Sequence, residues 1–114
     1  ALLPKVDALY EPTDNLVASA MPLIAEKSIA NKKAVITGEK GMVEAGGLAT
    51  EGIDYYELGK QTGEMAIKVL KGEKPNTLAI KTLEKTELVI NMKTRNTLGL
   101  TLLGDLDKKE TKEE

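Results

Sequence analysis

The stretch from Ala34 to Gly72, AVITGEKGMVEAGGLATEGIDYYELGKQTGEMAIKVLKG, restricts the fold more than any other part of the chain. It reads as strand, glycine-rich turn, short helix, strand and long capped helix. Ala34 to Thr37 is a short, apolar, β-branched run that stops at Gly38, and glycines at 38, 41, 46 and 47 allow tight turns or positive φ. In open α/β sheets such turns lie at the carboxyl ends of strands, where loops leaving neighbouring parallel strands make a crevice with free backbone N–H groups.

The second half of this stretch carries the clearest helix signal. Asp54 is of N-cap type and Glu57 follows three residues later, the pattern of a capping box. The helix runs to about Leu70 and is stopped by Gly72 and Pro75. Leu58, Thr62, Met65 and Val69 form one stripe, and Gly59, Gly63 and Ala66 form a small-residue stripe beside it that would let a sheet approach closely. The GxxxG spacing is read as close packing within a domain: Glu57, Lys60, Glu64 and Lys68 bar this helix from spanning a bilayer.

A chain of 114 residues holds one domain with a single core. With three tyrosines and no Phe or Trp, that core is aliphatic. The net charge of −2 resides in the last ten residues, which carry five acids against three lysines, leaving thirteen charges of each sign elsewhere. Such balance argues against a nucleic-acid surface, which requires clustered cations. Without cysteine there is no disulfide, thiolate metal site or cysteine nucleophile, and without histidine the usual general base and transition-metal ligand are missing. No signal peptide or transmembrane run is present, and the abrupt start, with a core-like strand already at Val6 to Tyr10, is that expected of a fragment lacking its amino-terminal portion.

In chain order, Val6 to Glu11 reads as a strand ended by Pro12, which holds Glu11 extended. Thr13, Asp14 and Asn15 are N-cap types that lead into a helical segment with Leu16, Ala20 and Ile24 on one face. Pro22 implies either a kink or two short helices. Two successive strand, loop and helix units of this spacing predict parallel pairing through a right-handed crossover, so PTDN (12–15) and GEKG (38–41) should lie side by side at one sheet edge. Leu78 to Thr82 and Glu87 to Asn91 read as further strands, Thr94 to Leu98 as a helical turn closed by Gly99, and residues 105–114 as a disordered or frayed tail.

That shared edge is the only place where the sequence concentrates polar groups around a plausible crevice. Asp14 is either the N-cap of the following helix or a carboxylate that grips a cationic group, and the two roles are compatible. Thr13 and Asn15 share the ambiguity; Tyr10 is core or ligand platform; Glu39 and Lys40 are solvated loop charges or parts of a second binding loop. From Gly41 onward the lysine and hydroxyl of a P-loop are missing, and no GxGxxG occurs. Glu11 with Asp14, and Glu39 with Glu44, are loop neighbours that give no sign of acid/base pairing.

VDALYEPTDN, then VITGEKGMVEAGGLATEGIDYYELGKQTGEMAIKVLKGEKP, then ELVINMKTRNTLGL closely resembles the carboxyl-terminal part of ABC-transporter substrate-binding proteins of the tryptophan/tyrosine type, over about residues 1–103. The resemblance implies a type I periplasmic-binding-protein fold: a mostly parallel α/β sheet flanked by helices, one lobe plus crossing segments, with helix 55–71 belonging with the absent amino-terminal lobe and 104–114 a charged tail. It implies an extracytoplasmic protein, lipid-anchored or periplasmic, that works with ABC permease subunits and needs neither cofactor nor metal. Its solute would be an amino acid, aromatic ones included, or a similar small molecule. By the same resemblance Asp14 takes the solute ammonium, with Tyr10, Thr13 and Asn15 beside it, and Gly38, Glu39, Gly41 and Met42 make the second loop.

The expectation is a binding protein without catalysis. An effector-sensing domain of a transcription regulator sharing the fold is the alternative, and a small α/β enzyme is disfavoured by the missing His, Cys and phosphate loop. The chain alone, with half a cleft, is expected to bind solute weakly and to self-associate.

Overall fold

The computed structural model describes residues 2–83, 86–101 and 104. Strand β1 (Ala8–Glu11) leads to helix α1 (Asn15–Ala30), β2 (Ala34–Thr37), the short α2 (Lys40–Glu44), β3 (Ala49–Ile53), the long α3 (Tyr55–Leu70), β4 (Thr86–Ile90) and α4 (Met92–Leu98). Single 3-10 turns occur at Leu3–Lys5 and Pro75–Thr77. Two compact units are present: Ala1–Gly52 with Leu88–Glu114, and Ile53–Glu87.

The strands lie in the order β1-β2-β3-β4. β1 and β2 are parallel, with Leu9 opposite Val35 and Tyr10 opposite Ile36, and β2 and β3 are parallel with Ile36 opposite Ala49. The Asn91 N–H donates to Leu48 C=O (2.8 Å), so the end of β4 lies at the start of β3 and the sheet is mixed. Because side chains alternate across a strand, this register puts Leu9, Val35 and Thr37 on one face and Tyr10 and Ile36 on the other. The first face is covered: Met21 and Ala25 of α1 and Met42 of α2 pack with Val35, with Leu9, Val17, Ala18, Ile24 and Ala45 around them. The core is aliphatic and thioether-rich, as the composition requires. The other face is open, with Tyr10 67% and Ile36 37% exposed.

Helix ends follow local chemistry. Asp14 Oδ1 accepts from the N–H groups of Leu16 (2.8 Å) and Val17 (3.0 Å), and Asp54 Oδ1 from those of Tyr56 (2.9 Å) and Glu57 (3.1 Å). The reciprocal half of the expected capping box is not made, since Glu57 instead faces Lys60 at 3.7 Å. At their carboxyl ends α1, α3 and α4 close alike, through Lys33 N–H to Ser28 C=O, Glu73 N–H to Lys68 C=O and Leu100 N–H to Arg95 C=O. These are Schellman closures with left-handed residues Lys32 (φ 54°), Gly72 and Gly99.

Three expectations meet the structure in different ways. Of the two alternatives at Pro22, two short helices are excluded: α1 is continuous through it, since exposed Pro22 sits away from the buried row Met21, Ala25 and Ser28 and forfeits only one donor. At Gly59 and Gly63 an added Cβ meets nothing within 4 Å among the described residues, and α3 buries none of its residues. Leu78 to Thr82 is irregular rather than a strand; Ile80 is 97% exposed and the segment is tied to α3 by Gln61 Nε2 donating to Thr82 C=O (3.1 Å). The expectation for 105–114 lies outside the described residues.

Candidate functional site

The parallel pairing of β1 and β2 brings their carboxyl ends together, and the two following loops touch. The Gly38 N–H continues the ladder to Glu11 C=O (2.9 Å). A Cβ at Gly38 would lie 2.6 Å from Thr13 Oγ1 and 2.7 Å from Thr13 N, so only glycine fits this approach. PTDN and GEKG are neighbours, as their sequence spacing predicts.

Asp14, extended at the N-cap of α1, spends one carboxylate oxygen on the helix amides; Oδ2 has no hydrogen-bond partner among the described residues. Asn15 opens the helix and Thr13 precedes the cap, both exposed. Glu39 holds the N-cap position of α2 but gives it no side-chain bond. Its backbone carbonyl accepts from Thr37 Oγ1 (3.1 Å), and its Oε1 would be 3.3 Å from a Cβ on exposed Gly41. Neither Asp14 nor Glu39 enters an ion pair among the described residues. The edge thus offers two carboxylates and the start of a helix that lacks a side-chain cap, a set suited to holding a small cationic or zwitterionic molecule.

Two of the sequence-derived site residues differ sharply in exposure. Met42 is 1% exposed in the core against Met21, so its side chain supports α2 from below and only its backbone belongs to the loop. Tyr10 is not core but exposed on the open sheet face, which leaves the platform alternative standing. No group of three or more acidic or other metal-ligating side chains gathers among the described residues.

Sequence reasoning overlooked the floor of the crevice. Thr50 on β3 is 2% exposed and its Oγ1 has no hydrogen-bond partner among the described residues. A Cβ on the next inward residue, Gly52, would lie 3.1 Å from that oxygen and 3.5 Å from Glu39 Cα. The signal was present in LATEG, where alternation puts Leu48, Thr50 and Gly52 inward and makes Thr50 a polar residue at a core position. It also overlooked the Asn91 clamp: Asn91 Nδ2 donates to Val43 C=O (2.9 Å) and Oδ1 accepts from Thr94 N–H (2.9 Å), while Thr94 Oγ1 donates to Gly46 C=O (3.1 Å). These bonds hold α4 to the far end of α2. Beside them an open groove of about 340 Å³ runs between α1 and α4, lined by Pro22, Glu26, Glu44, Lys93 and Thr97 among others.

The sequence model of the family described as ABC transporter substrate binding protein matches residues 1–113. The chain is 42% identical over 104 residues to a tyrosine-binding protein of Clostridioides difficile, covering 91% of this chain and 30% of that protein. Among solved structures it resembles the ligand-free, open form of a substrate binding protein with adhesive properties from Clostridium difficile (43% identity, TM-score 0.76, 92% of this chain and 36% of that one). It also resembles an ABC domain in complex with L-Trp from Streptococcus pneumonia (37% identity, TM-score 0.81, 95% and 37%). The chain therefore spans about a third of the length of these relatives.

Proposed function

The chain belongs to the ABC transporter substrate binding protein family, and on that premise we propose that it forms most of the carboxyl-terminal lobe of an extracytoplasmic solute-binding protein that hands an amino acid to an ABC importer. Binding involves no chemical change to the solute. The rest of the protein supplies the opposing lobe, with which α3 packs; the separation of Ile53–Glu87 as its own unit and the absence of buried residues on α3 support this division. The complete protein is held outside the cytoplasm, lipid-anchored or periplasmic, and presents the loaded solute to permease subunits. An aromatic amino acid is the favoured solute, since one relative is a tyrosine-binding protein and another holds L-Trp.

The observation that carries this reading is the second oxygen of Asp14, unpartnered at a crevice whose walls meet where Thr13 abuts Gly38. There it accepts a charge-assisted hydrogen bond from the solute ammonium, while the backbone of the Gly38–Met42 turn and Glu39 face the remainder. Losing one partner of a desolvated charge pair costs roughly 2 to 5 kcal/mol, about thirtyfold or more in affinity. Losing only a cap costs about 1 kcal/mol of stability. Asp14→Asn keeps a good cap and removes the charge. Calorimetry on the complete protein should show amino-acid binding collapse with little change in the apo melting temperature; retained affinity with lowered stability would confine Asp14 to capping.

A further inference from the structure

The buried Thr50 hydroxyl makes no hydrogen bond among the described residues, and valine at the same position would fill the site without leaving a polar atom unpaired. The side chain leans along β3 toward the strand's carboxyl end, toward the place where Gly52 has no side chain. Above it lies the Glu39 turn, which is tied down by the Thr37 Oγ1 bond and leaves α2 without a side-chain cap. An inward hydroxyl, an adjacent glycine and the Glu39 turn thus come together beside the crevice. Thr50 lies two strands from β1, which feeds Asp14, and at the usual strand spacing this is roughly 10 Å. That span suits a molecule with an ammonium at one end and a polar atom at the far side of an aromatic ring.

We propose that Thr50 is a specificity-determining residue: its Oγ1, reached past Gly52, hydrogen-bonds the polar atom at the far end of an aromatic amino acid, phenolic O–H or indole N–H. The inference rests on the amino-acid-binding reading above. The hydroxyl both donates and accepts, so it serves either group, and a phenyl ring would leave it unpaired. Gly52 leaves the hydroxyl uncovered on this side, because a methyl there would sit 3.1 Å from it.

The test is calorimetric titration of the complete solute-binding protein with tyrosine, tryptophan and phenylalanine. Wild type should bind the first two more tightly than phenylalanine. Thr50→Val should weaken tyrosine and tryptophan by about fivefold to tenfold, the worth of one neutral hydrogen bond, and leave phenylalanine unchanged or improved. Gly52→Ala should lower the same preference by covering the hydroxyl, and it supplies the answer if Thr50→Val does not fold. Unaltered ratios in the folded variants would overturn the proposal while sparing the amino-acid reading. A wild-type protein that binds none of the three, or binds phenylalanine as well as tyrosine and tryptophan, overturns it too, and in the first case the aromatic-solute reading falls with it while other amino acids stay open to the same titration.

Discussion

Gly38 has no room for a side chain, and the atom that denies it is a backbone nitrogen. A methyl on Gly38 would press on Thr13 N at 2.7 Å, which cannot move without Pro12 and Asp14. Gly38→Ala is therefore expected to cost about 1 to 3 kcal/mol by overpacking, seen as a lower urea midpoint with an unchanged slope. Gly41→Ala makes the contrast, since its methyl meets only the flexible end of Glu39 at 3.3 Å and should change stability by less than about 0.5 kcal/mol. At this scale Asp14 as a cap and the glycine turn were legible, because capping is local and a glycine after a β-branched run marks a turn. Met42 and Thr50 were not: whether a loop residue turns inward, or an inward hydroxyl finds a partner, depends on what the sheet and helices place opposite it.

Among the elements, the strand–turn–helix–strand–helix run from Ala34 was legible because each piece has its own period and punctuation. The two helix surprises have a common cause, in that tertiary surroundings decide what an exposed residue costs. Lys32 sits at φ 54° to close α1, a place where glycine carries no Cβ penalty, so Lys32→Gly should stabilise the protein by up to about 1 kcal/mol in chemical denaturation. Pro22 leaves a donor missing inside α1; Pro22→Ala restores it and should raise stability by about 1 to 3 kcal/mol. The Leu78–Thr82 segment has strand-like composition, yet a strand requires a neighbouring edge, and composition cannot report whether one is in reach.

Each unit leaves apolar surface of its own: the sheet has a covered face at Val35 and exposed Tyr10 and Ile36 on the other, and α3 buries none of its residues. Balanced helices on both faces are the rule for mostly parallel sheets. The chain by itself is therefore expected to self-associate, with light scattering showing a mass above that of a monomer at high concentration. On the proposed reading the chain offers half a cleft and should bind amino acids no tighter than millimolar in calorimetry, because closure around the solute is what desolvates it. Micromolar affinity in a clean monomer would contradict both expectations. The resemblance carried by PTDN, the glycine turn and ELVIN made the family legible, whereas the bare face emerged only from the register that places Tyr10 beside Ile36.

On the proposed reading, the single carboxylate of Asp14 would make α1 a recorder of occupancy. Its Oδ1 holds the amides of Leu16 and Val17, so a solute ammonium that fixed Oδ2 would also fix the oxygen on which those two amides depend. Amide deuteration should slow at Leu16 and Val17 on loading, with Tyr56 and Glu57, held in the same manner by Asp54, as the internal reference. The first turn of a helix would then report solute concentration without any label on the solute.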